Sequence, residues 1–599
     1  MTKTNELKQM ESASVAGFFA FCRSNAPLVA AVTIALFFTY GIKLICYNFG
    51  VDTNWFMAQN KAFSIVQIAV GRFGIVLMWF LRWQEGFNPL TAFFTAFCLI
   101  WFFTLSWCYV IALFDKNTGR NNKLIPFALV FMTMPVWAEQ FYFVFQATEN
   151  ALIIAMCPYV IHFLFKGFLE GRKGKVAGAV ILFAFMISVY QAIIPLFLGG
   201  VCACFLLWRE RSDCEPRVYR KLCLQLATSL AVSTIIYFFL ARAVIPALFQ
   251  IELLEYMDNM NHWGSKPLSE IALQLLLFCY LITVGHIQQA QEIVIQMMMN
   301  YSQPSQRRIE MLINAGRTAG NILLFPIVIV FLIKLNIIAR ENFLPKRRLL
   351  YVLAGVGIPL SIMVLAFLGG NIPPVRALYA LPFATAFMFF FVARASKKRF
   401  AAIVTTAAIL LSLYQAGLSA RLFYSDHVRF SEDTRLAYEL GGIIRQTMPE
   451  GKNLPVAFVG RYDGTQNFRN HTKGQVIGHS IFEHSDSRSW ALHTTGLVLS
   501  TMSILGMHFD EPNPAQLVRA QAEAASMPAY PNHGYVRAME DMIVIKISNR
   551  MYDRDVDTDP ELQKLLLIGS PPNGTGAIFN PAHITGGCDT GCQGGDLHP

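Results

Sequence analysis

The sequence predicts a polytopic α-helical membrane protein of about eleven transmembrane helices, followed by a C-terminal α/β domain outside the membrane. Three observations carry that reading. Only 15% of the 599 residues are charged and 54% are hydrophobic, against roughly 25% charged in a soluble domain. Apolar runs near the ~20 residues needed to cross the hydrocarbon recur through the first 420 residues. After residue 421 they give way to shorter helix-like and strand-like patterns.

Spans are expected near 27–48, 90–114, 123–145, 150–166, 176–192, 193–208, 222–246, 320–338, 349–370, 377–393 and 400–420. Lys and Arg set their direction. Lys3, Lys8 and Arg23 precede the first span, Lys116, Arg120 and Lys123 follow the second, and Lys166, Arg172, Lys173 and Lys175 follow the fourth. The alternation continues to Arg394, Lys397, Lys398 and Arg399. Every second loop is basic, so those loops and the N-terminus are expected on the cytoplasmic side. The first span has no small-residue cleavage site beside it and is expected to stay as an anchor.

The opposite loops then face outward, chiefly 49–89 and 247–319. Within 247–319, parity allows zero or two extra crossings. "IALQLLLFCYLITVG" is apolar enough to cross, but "QEIVIQMMMN" is a poor return span, which favours an outer-face or re-entrant arrangement. Residues 60–84 are amphipathic with Arg72 in their centre, which suits an interfacial helix pair.

Residues 421–565 are expected to form the extracytoplasmic α/β domain. "DTRLAYELGGIIRQTM" has helical periodicity, "LPVAFVG" and "MIVIKI" read as buried strands, and "GLVLSTMSIL" fits either state. Residues 566–599 form a Gly/Pro-rich tail. Ten of the twelve cysteines lie in or beside apolar runs, where a thiol serves as a small hydrophobe. Cys588 and Cys592 are a disulfide candidate in an oxidising compartment, and their spacing fits a metal site no better. The formal charge of +11 is spread among short loops rather than gathered in a patch, which argues against nucleic acid as a partner.

No phosphate loop, His-rich metal pattern or nucleophile elbow is present in the sequence. What the topology does is bring scattered polar residues to one membrane face. Asp52 follows the first span, with Asn54 and Trp55 behind it; Glu139 and Glu149 flank the outer turn after the third. Tyr190 and Gln191 mark the outer turn of "SVYQAIIP", and Arg376 that of "NIPPVRALY". Each also has an ordinary reading. Asp52 suits a solvated loop or a helix cap, Arg72 and Arg376 suit snorkelling to lipid phosphate, and Tyr190 suits an interfacial aromatic. Together they match a chemical need. Transfer of a sugar from a lipid phosphate requires cations for the phosphate and a carboxylate to take the acceptor's proton.

Three stretches in order, "DTNWFMAQNKAFSIVQIAVGRFG", "MPVWAEQFYFVFQATENALIIA" and "SVYQAIIPLFL", make the chain similar to the GtrII-type glucosyltransferase family. Gln146 is a departure, standing where related sequences are expected to carry an acid. The resemblance implies a GT-C type fold and inverting transfer of a hexose, glucose by preference. The donor would be a polyprenyl-phosphate sugar and the acceptor a surface polysaccharide, such as O-antigen, or a glycolipid. It implies Asp52 as general base, Glu139 as a second catalytic acid residue, and Arg72 on the donor phosphate. Arg376, from topology, is expected as another phosphate contact, and Glu149, Tyr190, Gln191, Asn54 and Trp55 as substrate contacts. No cofactor or metal is expected. A donor synthase and a flippase are implied partners, and the bacterial cytoplasmic membrane the location. The alternatives are a transporter or flippase of lipid-linked sugar, which needs no base, and a glycan polymerase or ligase.

Overall fold

In the computed structural model the described residues are 12–58, 60–81, 88, 90–115, 121–211, 216–253, 261–285, 318–343, 345–460, 477, 478, 480–482 and 494–549. They fall into two compact units. One comprises Met1–Thr53, Phe63–Phe430 and Thr465–Gly478; the other comprises Asn54–Ala62, Ser431–Gly464 and His479–Pro599.

The first unit is built of helices. In order they are α1 (Val15–Ser24), α2 (Ala26–Tyr40), α3 (Ile42–Ile45), α4 (Val51–Ala58), α5 (Asn60–Ala69), α6 (Phe73–Leu81) and α7 (Ala96–Phe114). There follow α8 (Ile125–Thr133), α9 (Val136–Tyr142), α10 (Ala147–Glu170), α11 (Lys173–Val189), α12 (Ile193–Arg211) and α13 (Pro216–Phe239). After a five-residue helix, Ile245–Phe249, the set ends with α14 (Leu268–Val284), α15 (Leu324–Asn342), α16 (Pro345–Ser361), α17 (Val364–Gly369), α18 (Ala380–Arg394) and α19 (Lys398–Thr447). Of these helices, α4 from Asn54, α5 up to Ala62 and α19 from Ser431 belong to the second unit. Among the described residues five helices are long and apolar enough to cross a membrane. They are six if α1 and α2, bent by 91°, make one span. Of the remaining expected spans, 320–338 falls on α15, which is 19 residues long but carries Lys334, Arg340 and Glu341, and the others fall on shorter or broken helices.

Two elements depart from the sequence expectation in opposite ways. The stretch 123–145 is not one helix. Pro135 has no N–H and disfavours the α region for the residue before it. Met134 is accordingly extended (φ −62°, ψ 131°), and α8 stops at Thr133. The second departure is the reverse. The last span was expected to end at 420, but α19 runs unbroken for 50 residues, with no proline to stop it. The follower "QEIVIQMMMN" and the tail with Cys588 and Cys592 lie outside the described residues.

Helix α10 packs on α7 and α11, α12 on α16, and α18 on α8. Aromatic rings fill the centre. Phe131 and Trp107 meet Phe383, and Phe103 and Phe131 meet Trp137, with centroids 4.5–6.3 Å apart, within the range of favourable ring pairs. Two of the buried ring N–H groups are bonded to backbone: Trp107 donates to the Ile154 carbonyl (3.2 Å) and Trp137 to that of Phe131 (2.6 Å). At the other end, Arg394 of α18 bonds Asp115 after α7 and Glu210 of α12, each at 2.7 Å, and Tyr351 of α16 donates to Glu210 (2.6 Å).

The second unit has a three-stranded sheet of order β1-β3-β2, from β1 (Val456–Val459), β2 (Val536–Ala538) and β3 (Ile543–Lys546). β1 and β3 are parallel, and β2 is antiparallel to β3. A parallel pair needs a long crossover, which here contains α20 (Thr494–Ile504) and α21 (Pro514–Ala525). Both helices pack on β1. Every residue of β1 and β3 is therefore buried, and the strands read as apolar runs apart from Lys546, whose Nζ donates to the Met527 carbonyl at 2.7 Å. α21 opens with a reciprocal capping box between Asn513 and Gln516. The run that fitted helix or strand equally is α20.

Candidate active site

The chain reaches Asp52 along a clamped path. After α3, the Asn48 side-chain oxygen lies 3.1 Å from His427 Nδ1. The Phe49 carbonyl accepts a hydrogen bond from Arg429 Nη2 at 2.9 Å. Arg429 is 1% exposed and also holds Asp426 at 2.6 Å. The Phe49 ring stands edge-on to Phe430 (5.4 Å, 89°). Gly50 then passes directly over Tyr142, and a Cβ there would sit 2.5 Å from its ring. Asp52 is the second residue of α4, so it is a first-turn residue rather than the cap. The side chains of Asp52 and Trp55 lie outside the described set.

Tyr142 ends α9, and α9 carries Glu139. This seven-residue helix lies beyond the Pro135 break and outside the candidate spans. Glu139 is partly exposed. Burial nevertheless pushes its carboxyl up to about 7, against the pull of the Arg376 charge. Arg376 lies in the 3₁₀ turn Val375–Ala377, which packs on α9, and its guanidinium is 4.6 Å from the centre of the Phe143 ring.

Arg72 occupies the turn between α5 and α6. Gly71 before it has φ +76°, a conformation suited to glycine. The guanidinium lies over Tyr190, 4.6 Å from the ring centroid, and Nε is buried with no hydrogen-bond acceptor among the described residues. Rings lead from there to α9: Tyr190 to Tyr379 at 5.5 Å, and Tyr379 to Trp137 at 5.2 Å. Trp137 and Glu139 share α9, and Tyr379 follows Arg376 by three residues. Behind the turn, Gln191 Nε2 donates to Tyr237 Oη (2.6 Å), which donates to the Gly71 carbonyl (3.2 Å).

The first unit thus brings Arg72, Tyr190, Gln191, Glu139 and Arg376 into one connected neighbourhood, with the backbone leading into Asp52 seated on the same α9. Two other expected residues are buried. Asn54 belongs to the second unit, 1% exposed, and donates to Thr501 Oγ1 at 3.1 Å. Glu149 is 1% exposed in the first turn of α10. Among the described residues no three His, Cys, Asp or Glu side chains converge as metal ligands would. Sequence reasoning missed Tyr237, Tyr379, Trp137 and Phe143, which sit in apolar runs and look like core. It also missed Arg429 and His427, which follow the expected last span.

A family described as Glucosyl transferase GtrII matches residues 41–393, more than half of the chain. The chain belongs to the GtrII glucosyl transferase family. The GtrII match spans Asp52, Arg72, Glu139, Glu149, Tyr190, Gln191, Tyr237 and Arg376, while Arg429 and the sheet lie beyond it. Membership makes the chain a glycosyltransferase with a donor and an acceptor, and its long apolar helices make it a membrane protein. Comparison with curated proteins and with solved structures gives no match.

Proposed function

We propose that this GtrII member transfers glucose from a polyprenyl-phosphate carrier to a cell-surface polysaccharide or glycolipid, on the outer face of a bacterial cytoplasmic membrane. Asp52 takes the proton of the acceptor hydroxyl as its oxygen attacks the anomeric carbon. The bond from that carbon to the phosphate oxygen breaks in the same displacement, which inverts the centre. The lipid phosphate gains one negative charge as it leaves, and Arg72 and Arg376 stabilise that charge in place of a general acid. Glu139, beside Arg376, supports the site and binds the acceptor sugar. A donor synthase and a flippase supply the substrate.

One observation carries this reading. Two arginines, each laid on an aromatic ring, are joined through packed rings to the helix that bears Glu139, and Gly50, just before Asp52, packs on that same helix. An arginine held flat on a ring keeps its N–H fork directed and costs less ordering when a phosphate arrives. The test is turnover of polyprenyl-phosphate glucose by purified Asp52→Asn protein. A positioned base contributes typically ~10²- to 10⁴-fold, so a loss of that size is expected. Native turnover in the variant would remove Asp52 as the base and favour a lipid-sugar transporter, which needs none.

A further inference from the structure

We infer that Tyr237 is a positioning residue: through a hydroxyl shared with Gln191 and the Gly71 carbonyl, it fixes the turn that presents Arg72 to the phosphate of the lipid-linked donor. The inference rests on the proposed role of Arg72. Tyr237 lies near the end of α13, 166 residues from Gly71, and is 3% exposed.

The bond directions are forced. A backbone carbonyl only accepts, so the single Tyr237 hydroxyl proton goes to Gly71. The hydroxyl's lone pairs then face Gln191, whose amide nitrogen donates at 2.6 Å. The hydroxyl is thus a two-way link between separate segments, and a Phe at this position would break both bonds. Gly71 leaves no slack on its side. It has φ +76°, and a Cβ would come within 2.9 Å of Tyr237 Oη and 3.8 Å of Gln191 Nε2. The Arg72 N–H is also tied, donating to the Gln67 carbonyl at 2.6 Å.

The outcome of this bonding is the pose of one side chain. Tyr190, under the Arg72 guanidinium, and Gln191, behind the Gly71 carbonyl, are adjacent in sequence. The Tyr-Gln pair and the Gly-Arg pair are therefore two halves of one device, closed by Tyr237. Among the described residues no carboxylate pairs with Arg72, and its buried Nε has no acceptor. A cation held on a ring, with no carboxylate partner among the described residues, is poised for an anionic ligand.

The experiment uses the full chain in nanodiscs, with polyprenyl-phosphate glucose as donor, and measures donor KM, acceptor KM and kcat. Tyr237→Phe keeps the ring, which stacks on Phe73 at 6.5 Å, so folding is preserved. Loss of one or two hydrogen bonds predicts a rise in donor KM of about 3- to 10-fold together with a fall in kcat of similar size, because Arg72 also meets the charge that develops on the leaving phosphate, while acceptor KM stays within about 2-fold. Gln191→Met is expected to give the same pattern and serves if Tyr237→Phe fails to fold. In an Arg72→Gln background, Tyr237→Phe is expected to add nothing. Unchanged donor KM in Tyr237→Phe, or a rise that persists in the Arg72→Gln background, would overturn the positioning role while leaving Arg72 on the phosphate. Unchanged donor KM in Arg72→Gln itself overturns the phosphate reading, and the inference with it.

Discussion

Glu139 combines partial exposure with a carboxyl pushed up to about 7 by burial, and Arg376 only partly offsets the effect. Between the ordinary glutamate range and that value, the folded protein keeps a proton that the unfolded chain has lost. The stability this retention supplies is complete below the unfolded value and disappears as pH rises through about 7. Glu139→Gln cannot ionise. It should match the native protein near pH 3.5, below the unfolded value, and exceed it at pH 8 by on the order of 3 kcal/mol, read as thermal midpoints at the two pH values. Arg376→Gln removes the opposing charge, so the fall in native stability should move to higher pH. A fall that stays in place would show that Arg376 does not act on this carboxyl. Glu139 and Arg376 were both singled out as site candidates from the sequence. Their coupling was not, because it depends on a 3₁₀ turn packing onto α9 from more than two hundred residues away.

At the scale of elements, the decisive feature is that the third expected span is broken. Pro135 ends α8 early, and the residues that follow form the short α9, turned to carry Trp137, Glu139 and Tyr142 into the site. A second feature is the start of the acidic segment, held by Arg429 and His427 of α19. Arg429→Gln should release the Phe49 carbonyl and leave Asp426 and Lys43 as a weaker pair, 3.9 Å apart. Breaking a buried ion pair costs about 3–5 kcal/mol, so a lower thermal midpoint is expected, with a fall in kcat beyond what loss of folded protein explains. A variant with native kcat per folded molecule would reduce the clamp to a stabilising contact. The sequence indicated the proline. It did not indicate the clamp, because an arginine beyond the expected last span looks like part of a solvated helix until the fold buries it.

Over the whole molecule, the end opposite this site is tied by Arg394 to Asp115 and Glu210, with Tyr351 on Glu210, so that α7, α12, α16 and α18 share one network. Arg394→Met would leave two carboxylates without their shared cation. A loss of about 3–5 kcal/mol is expected, seen as a lower thermal midpoint with donor KM unchanged. A change in donor KM instead would link the two ends of the helices.

The sequence by itself determined the membrane character, the places where apolar helices form and two of the three strands of the second unit, β1 and β3. Those follow from composition and periodicity, which are properties of the chain over short distances. It also carried the family, through motifs whose order survives in the linear chain. Only the tertiary structure decided which polar residues meet. Asn54 went to Thr501 and Glu149 became buried, while Arg72 came to rest on Tyr190 with Tyr237 behind its turn. The physical reason is that such contacts join residues far apart along the chain. A buried tyrosine in an apolar run shows no sign in its local sequence of which carbonyl its hydroxyl will meet.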